Sequence, residues 1–252
     1  LADYMDSIEA NRSKVMEQQI QQQEVFTRNQ KVISDLQSQY NYTAEQANDF
    51  INKIEVLSFI DKGVSIDWLK KCGVKVQNIL AKGSFNHLKH QLRKTKENHF
   101  DDVKEIIEQG DKHNISSNIY LEDWSNGMKN SKEYVFSLLD FLSKTTVKRV
   151  MLPDTLGILT PKKTGNFINE ITSKYSKIHF DFHGHNDYDL GVSNTLEAVR
   201  NGIKGIHLTV NGMGERAGNV ALESAVAAIN DFIPNIKSVS YTHLTLPTKR
   251  IV

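Results

Sequence analysis

Residues 177–187, KIHFDFHGHND, carry the clearest sign of the fold class. On a β-strand their side chains alternate, so Phe180 and Phe182 face one side. Asp181 and His183 then face the opposite side. An apolar face covered by helices and a polar face turned to the interior are typical of a strand in an α/β barrel. The alternation therefore predicts a barrel strand that ends in functional side chains, because the active sites of such barrels lie at the carboxyl ends of the strands.

The same unit recurs along the chain: a short apolar run rich in β-branched residues, a polar loop and an amphipathic helical stretch. Strands that alternate with helices at a spacing of about 30 residues predict βαβ units and a parallel sheet. The predicted strands are Asp6–Ala10, Lys53–Ile60, Val74–Leu80, Ser117–Glu122, Val147–Leu152, Lys177–Phe182 and Gly205–Val210. This set is too large for a small flavodoxin-like sheet and one strand short of a (β/α)₈ barrel. We therefore predict an α/β fold, an incomplete (β/α)₈ TIM barrel.

Two segments lie outside this repeating pattern. Residues 11–50 are rich in glutamine and weakly periodic, and we interpret them as helical. Residues 239–252, VSYTHLTLPTKRIV, continue neither a helix nor a strand pattern, so we predict a non-native or disordered tail there. The predicted organisation is one partial TIM-barrel catalytic domain at residues 1–238, followed by the tail at 239–252.

The composition excludes several kinds of protein. The chain has 252 residues, with 31 Lys and Arg against 30 Asp and Glu, and its formal net charge is +1. This balance argues against recognition of nucleic acid through bulk charge. No apolar stretch approaches the length of about 18 residues that a membrane span needs, and the single cysteine, Cys72, excludes a disulfide framework. We therefore expect a cytoplasmic protein in a reducing compartment, with neither a membrane nor a nucleic-acid partner.

The two histidines near the end of residues 177–187 are candidate metal ligands. Imidazoles at positions i and i+2 of a strand can reach one ion, and Gly184 between His183 and His185 lets the backbone approach closely. Their place at a predicted barrel mouth, beside carboxylates, favours a metal site. The alternative is a pair of hydrogen-bonded histidines that bind no metal.

Three other predicted strands also run into polar side chains. Glu122 ends one of them, and a carboxylate there can act as a general base. Thr155 follows another, and its hydroxyl can bind a substrate carboxylate. The turn NGMGERAGN at 211–219, after the last strand, can bind an anionic group through its backbone N–H groups. Asn211 in this turn offers a neutral oxygen to a metal ion.

Three motifs, in this order, resemble one enzyme family: DTLG at 154–157, HGHND at 183–187 and NGMGERAGN at 211–219. They are similar to motifs of the acyl-CoA-dependent Claisen-condensation TIM barrels, the 2-isopropylmalate, homocitrate and citramalate synthases. Hydroxymethylglutaryl-CoA lyase is a more distant relative of these enzymes. The segment SFNH at 84–87 resembles the S-x-x-H segment that follows the fourth strand of the family. The resemblance covers about residues 53–234.

The resemblance implies a metal-dependent acyltransferase that condenses acetyl-CoA with a small-molecule 2-oxo acid, as in leucine or related amino-acid biosynthesis. It implies that His183, His185 and Asn211 bind a divalent metal ion, Mg²⁺, Mn²⁺, Zn²⁺ or Co²⁺, which polarises the 2-oxo acid. The implied catalytic residues are Glu122, on the base side of the site, with Thr155 and His87. The implied substrate-binding residues are Thr155, Gly212, Gly214, Glu215 and Arg216.

The sequence departs from the family in one respect. The D-x-x-x-R-D-x-x-Q signature of the family's first strand, which supplies a metal-binding Asp and a catalytic Arg, is absent. We therefore interpret the chain as a fragment without strand 1, inactive by itself, from a full-length protein that is a homodimer. A homocitrate synthase, a citramalate synthase and an acyl-CoA lyase of the same superfamily remain alternatives. Further alternatives are an amidohydrolase-type hydrolase, whose H-x-H pair usually lies on the first strand, and a folded remnant or binding module.

Overall fold

The computed structural model describes residues 53–234, together with Ser38 and Thr43. Six parallel strands form one sheet in which each strand pairs with its neighbour in the sequence. The strands are β1 Glu55–Ser58, β2 Val76–Lys82, β3 Ser116–Glu122, β4 Arg149–Asp154, β5 His179–Gly184 and β6 Gly205–His207. Three predicted features lie outside the described residues: the strand Asp6–Ala10, the helical stretch 11–50 (apart from Ser38 and Thr43) and the tail 239–252.

Helices connect the end of each strand to the start of the next, and one more helix follows the last described strand. They are α1 Val64–Cys72, α2 Lys96–Lys112, α3 Trp124–Asn130, α4 Lys132–Leu142, α5 Pro161–Lys174, α6 Gly191–Arg200 and α7 Leu222–Phe232. The three residues Phe85–His87 form a short helical turn that continues into a π-helix at Leu88–Leu92, and a 3₁₀ turn spans Val210–Gly212. Within residues 53–234, no helix is long and apolar enough to cross a membrane.

Contacts across the concave face show that the sheet is strongly curved. The hydroxyl oxygen of Tyr120, on β3, lies 2.5 Å from Nδ1 of His207, on β6. Arg149, on β4, forms an ion pair with Glu55, on β1. Each pair is three strand spacings apart in the sheet, which would be about 14 Å if the sheet were flat. The six strands therefore form part of a barrel, and the prediction of an incomplete (β/α)₈ fold is confirmed.

The sequence pattern places three strands two residues too early and makes the last one too long. Val74–Leu80 is observed as Val76–Lys82, Val147–Leu152 as Arg149–Asp154, Lys177–Phe182 as His179–Gly184, and Gly205–Val210 as Gly205–His207. The first three of these four predicted strands each end at a large apolar residue, Leu80, Leu152 or Phe182. The real strands continue into polar residues such as Lys82 and Asp154 because the barrel mouth provides partners for them.

The two faces of β5 point as predicted. Phe180 and Phe182 are each 1 % exposed and belong to the apolar core. Asp181 lies between them in the sequence and on the opposite face, where Arg149 and His207 contact its carboxylate. The interior of the barrel is therefore polar along this strand, and the apolar core lies between the sheet and the helices.

A close approach between α3 and the end of β2 makes Gly127 a sensitive position. A Cβ atom at residue 127 would lie 2.1 Å from the carbonyl oxygen of Gly83 and 2.8 Å from Cγ2 of Val135. Helix propensity alone favours Ala over Gly by about 1 kcal/mol. We nevertheless expect Gly127→Ala to lower the free energy of unfolding by about 1–3 kcal/mol, because the contact with backbone requires the helix to shift. Urea denaturation followed by circular dichroism measures the change.

Gly73→Ala is the matched control for this substitution. Gly73 has a φ of 70° and no atom that a Cβ would approach within 4 Å. Its replacement therefore introduces backbone strain of about 1 kcal/mol and no clash. A Gly127→Ala variant as stable as the parent, or more stable, would show that the helix propensity outweighs the close approach.

Candidate active site

The carboxyl ends of the strands enclose a cavity of about 550 Å³. The cavity is lined by Glu55, Leu57, Asn78, Leu80, Tyr120, Glu122, Pro153, Thr155, His183, His185, Gly214, Glu215 and Asn219. Six of the residues predicted from the sequence therefore meet at one place: Glu122, Thr155, His183, His185, Gly214 and Glu215. The other predicted residues, His87, Asn211, Gly212 and Arg216, lie outside this lining.

His183 and His185 face each other in the cavity, and their Nε2 atoms are 3.3 Å apart. Burial, together with the neighbouring His185 and His207, lowers the pKa of His183 to about 3. Burial lowers the pKa of His185 as well, helped by the charge of Arg216. Both imidazoles are therefore neutral near pH 7, which is the state in which an imidazole binds a metal ion.

Asn219 joins the histidines in the cavity, whereas Asn211 does not. Residue 219 forms a β-bridge with His185, and its Oδ1 atom is buried without a hydrogen-bond partner among the described residues. Gly214 makes room for this amide, because a Cβ there would lie 2.2 Å from Oδ1 of Asn219. Asn211 is exposed in the 3₁₀ turn with a φ of 56°, and its backbone N–H donates to Glu223.

The donors in the cavity fit a divalent metal ion. Two nitrogens at about 2.1 Å from one ion lie about 3.0–3.4 Å apart when the angle between them is about 90–109°. The imidazoles of His183 and His185 meet this condition, and the buried oxygen of Asn219 is an additional unused donor. In the part of the chain that the structure describes, no cluster of three His, Cys, Asp or Glu side chains could hold an ion. Two imidazoles and one amide are therefore the set that this chain offers here.

Glu122 lies between a cation and an imidazole. Its Oε2 atom forms an ion pair with Lys82, and its Oε1 atom lies 3.7 Å from Nδ1 of His87. On the other side of the ring, Nε2 of His87 lies 3.4 Å from Oδ2 of Asp123. Asp123 is 1 % exposed, and its carboxylate accepts a hydrogen bond of 2.6 Å from the Ser84 hydroxyl. The segment at 84–87 is thereby packed against Glu122, which ends β3, and Asp123, which follows it.

The hydroxyl of Thr155 is oriented by the backbone of the residue that follows β3. The backbone N–H of Asp123, which has a left-handed φ of 65°, donates to Oγ1 of Thr155 over 2.8 Å. The hydroxyl hydrogen of Thr155 is then available for a ligand. Asp154 orders the loop that follows, because its carboxylate accepts the N–H groups of Ile158 and Leu159. Burial raises the pKa of Asp154, and these hydrogen bonds counteract the rise.

Arg216 ties the glycine-rich turn to two neighbouring loops. Its guanidinium donates to both carboxylate oxygens of Asp187, over 2.7 and 2.9 Å, and to the carbonyl oxygen of Thr155 over 2.7 Å. This bidentate pair lowers the pKa of Asp187. The structure thus uses Arg216 to hold residues 214–219 beside the β4 and β5 loops.

A network of charged and polar side chains fills the interior below the cavity. The fully buried carboxylate of Asp181 lies 3.0 Å from Arg149 and 3.2 Å from Nε2 of His207. Burial alone would raise the pKa of Asp181, but the His207 hydrogen bond and the charge of Arg149 hold it below its usual value. Nδ1 of His207 contacts the hydroxyl of Tyr120, which lines the cavity floor. The barrel interior is therefore cross-linked through polar contacts.

The motif order, the fold and the site now lead to one family. A model of the family described as HMGL-like matches residues 18–244 of the chain. The chain belongs to the HMGL-like family. The suspected relationship to the acyl-CoA Claisen-condensation barrels is confirmed at this level, since curated relatives are named as synthases of that group.

Two curated proteins illustrate the similarity of this HMGL-like chain to known enzymes. A probable 2-isopropylmalate synthase of Ignicoccus hospitalis is 32 % identical over 193 residues, which are 77 % of this chain and 46 % of that protein. An (R)-citramalate synthase of Methanocaldococcus jannaschii is 32 % identical over 176 residues, 69 % of this chain and 35 % of that protein. The chain therefore spans less than half the length of these relatives.

A solved structure supports the barrel fold of the HMGL-like chain. The crystal structure of hydroxymethylglutaryl-CoA lyase from Pseudomonas aeruginosa superposes with a TM-score of 0.61 and 19 % identity. The match covers 69 % of this chain and 61 % of that one. At this identity the likeness concerns the fold.

Sequence reasoning missed three residues of the HMGL-like site: Lys82, Asp123 and Asn219. Asn219 is the last residue of the motif NGMGERAGN, but the sequence analysis assigns the metal-binding amide of this motif to its first residue, Asn211. Asp123 is adjacent to Glu122, and its contact with Thr155 depends on a left-handed backbone conformation that cannot be predicted from the sequence. Lys82 reaches Glu122 from the neighbouring strand, so only the strand register reveals it.

Proposed function

We propose that this HMGL-like barrel is the catalytic core of a metal-dependent acyltransferase that condenses acetyl-CoA with a 2-oxo acid. The observation that carries the proposal is the cavity that two neutral, facing imidazoles line together with Glu122 and Thr155. The curated relatives named 2-isopropylmalate synthase and (R)-citramalate synthase support the same reaction class. The identity of about a third leaves the 2-oxo acid open among 2-oxoisovalerate, pyruvate and 2-oxoglutarate.

His183, His185 and Asn219 would hold the divalent metal ion, with Asn219 taking the role that the sequence pattern assigned to Asn211. A bound ion would act as a Lewis acid towards the keto and carboxylate oxygens of the 2-oxo acid. Three protein donors leave coordination positions for the substrate and for a further ligand, as a catalytic site requires. Oxygen and imidazole donors suit Mg²⁺, Mn²⁺, Zn²⁺ or Co²⁺.

The remaining residues act on the organic substrates. Glu122 removes a proton from the methyl group of acetyl-CoA, and the resulting enolate attacks the keto carbon. The Thr155 hydroxyl, whose oxygen is held by the Asp123 N–H, donates its hydrogen to the substrate carboxylate. Hydrolysis of the thioester then releases CoA and makes the condensation irreversible. Gly214 and Glu215 line the same cavity as these groups.

Loss of either histidine is expected to abolish metal binding. We expect His183→Gln and His185→Gln each to weaken Mn²⁺ or Zn²⁺ binding by more than about 100-fold, since loss of even an outer-shell partner costs about 10- to 100-fold. Asn219→Ala is expected to weaken binding and Asn211→Ala to leave it unchanged. Isothermal titration calorimetry on the apo-protein measures the affinities.

His113→Gln is the control for a general effect of removing an imidazole, because His113 is exposed at the end of α2. Equal affinities in the parent, His183→Gln and His185→Gln would refute the metal site. An effect of Asn211→Ala that exceeds that of Asn219→Ala would return the third ligand to the position predicted from the sequence.

The activity is tested by following the release of free CoA from acetyl-CoA with each of the three 2-oxo acids, with and without metal. The assay uses the chain extended upstream, because the resemblance places a further metal-binding Asp on a strand outside the described residues. Metal-dependent thiol release with one acid would establish the acyltransferase and identify its substrate. If folded, metal-loaded protein releases no free CoA with any of the three acids, the proposed condensation is contradicted.

A further inference from the structure

Lys82 is the one side chain that forms an ion pair with Glu122 through an ammonium group among the described residues. It is the last residue of β2 and stands directly opposite Glu122 in the parallel pairing of β2 with β3. We propose that Lys82 is a positioning residue, which binds Oε2 of Glu122 and thereby presents Oε1 as the proton-accepting oxygen. The inference rests on the proposed function, since it concerns the base of that reaction.

The backbone of Lys82 is fixed on both sides by buried side chains. Its N–H donates to Nε2 of His99, on α2, over 3.3 Å. Its carbonyl oxygen accepts a hydrogen bond of 2.8 Å from the hydroxyl of Tyr134, on α4. The side chain of Lys82 is only 14 % exposed and that of Glu122 is 22 % exposed. The ammonium group therefore starts from a rigid base and lies in a setting where water screens the pair weakly.

The two oxygens of Glu122 have different surroundings. Oε2 contacts the ammonium of Lys82, whereas Oε1 accepts no hydrogen bond within residues 53–234. Nδ1 of His87 lies 3.7 Å from Oε1, and that nitrogen is itself buried without a hydrogen-bond partner among the described residues. Lys82 thus leaves Oε1 of Glu122 free to accept a proton.

This arrangement assigns a simple role to each group in the proton transfer. Oε1 of Glu122 forms a new O–H bond as the C–H bond of the acetyl methyl group breaks, and the electron pair stays on carbon as the enolate. Lys82 keeps all three of its protons and touches no reacting atom. If the ammonium group of Lys82 were absent, the Glu122 carboxylate could rotate towards other partners. A misplacement of about 1 Å can lower the rate by about 100-fold.

The test compares Lys82→Met, which keeps the length and loses the charge, with Lys82→Arg, which keeps the charge. The first readout is the loss of deuterium from the methyl group of deuterated acetyl-CoA in water, on the upstream-extended, metal-loaded protein. We expect Lys82→Met to slow this exchange by about 10- to 100-fold and to change the KM for acetyl-CoA by less than about threefold. Lys82→Arg is expected to restore most of the rate.

The second readout does not depend on activity. The carbon-13 signal of the Glu122 carboxyl, assigned by its loss in Glu122→Gln, is compared in folded parent, Lys82→Met and Lys82→Arg. We expect it to move in Lys82→Met and to stay close to the parent position in Lys82→Arg. An unmoved signal in Lys82→Met, or an unchanged exchange rate in an active parent, would overturn the role of Lys82. If the parent exchanges no deuterium, the proposed function fails, and the carboxyl signal alone decides whether Lys82 positions Glu122.

Discussion

Asp181→Ala is expected to lower the free energy of unfolding by about 3 kcal/mol, measured by urea denaturation at neutral pH. The carboxylate is completely buried in the barrel interior, where Arg149 and His207 contact one of its oxygens. His179 lies 2.9 Å from the other oxygen. Loss of the Asp181 carboxylate leaves the partly exposed donors of Arg149, His179 and His207 without this acceptor. Breaking a buried ion pair costs about 3–5 kcal/mol, and we expect the low end because Arg149 keeps its ion pair with Glu55.

The matched control is an exposed ion pair on the outside of the barrel. Lys104 and Glu108 lie four residues apart on α2, 3.8 Å from each other, with more than half of each side chain exposed. Glu108→Ala is expected to change the free energy of unfolding by less than about 0.5 kcal/mol. A loss below about 1 kcal/mol for Asp181→Ala would mean that water replaces the carboxylate without strain, and the interior network would then contribute little to stability.

The second large effect is a loss of stability in acid that depends on His99. This residue is fully buried, and burial lowers its pKa to about 4, aided by the charges of Lys94 and Lys82 against the opposing effect of Asp102. In the unfolded chain the imidazole takes up a proton near pH 6.5, its ordinary pKa. Between about pH 6.5 and 4 the unfolded state therefore binds more protons than the folded state. The contribution of neutral His99 to the free energy of unfolding is fully present above that range. It is lost as the pH falls through the range, by about 3 kcal/mol in all.

His99→Gln isolates this contribution, because glutamine can still accept the N–H of Lys82 but does not titrate. Urea denaturation at several pH values between about 7 and 4 gives the difference in unfolding free energy between parent and variant. We expect the variant to lose less stability on acidification than the parent, by about 1.4 kcal/mol per pH unit within the range. His113→Gln, at an exposed position, is expected to follow the parent. Parallel curves for parent and His99→Gln would show that His99 becomes protonated in the folded state as readily as in the unfolded chain.

The barrel is well predicted from local patterns because burial on a parallel strand leaves a strong signature. Phe180 and Phe182 had to face the helices once residues 177–187 were taken as a strand, and the structure confirms this. The strand ends were less predictable. Lys82 and Asp154 are polar, and a pattern based on apolar runs treats them as loop residues. Lys82 extends β2 because it forms an ion pair with Glu122. Asp154 extends β4 because its carboxylate accepts N–H groups of the following loop.

The candidate site likewise contains residues that can be predicted from the sequence and residues that cannot. His183 and His185 are found from their spacing alone, since the period of a strand brings positions i and i+2 to one side. The choice between Asn211 and Asn219 could not be made from spacing, because both lie in the same glycine-rich turn. In the structure the amide of Asn211 is exposed in a left-handed turn, whereas Asn219 lies beside His185, where the absence of a Cβ at Gly214 leaves room for it.

The alternation of strands and helices, the polar barrel interior along β5 and the positions of the histidine pair can all be inferred from the amino-acid order. These properties follow from side-chain periodicity within single elements, which is a local property of the chain. Which groups meet depends on the folded barrel: Lys82 contacts Glu122 from the adjacent strand, and Tyr120 contacts His207 across the curved sheet. Those contacts depend on strand register and sheet curvature, which arise from the packing of the whole barrel.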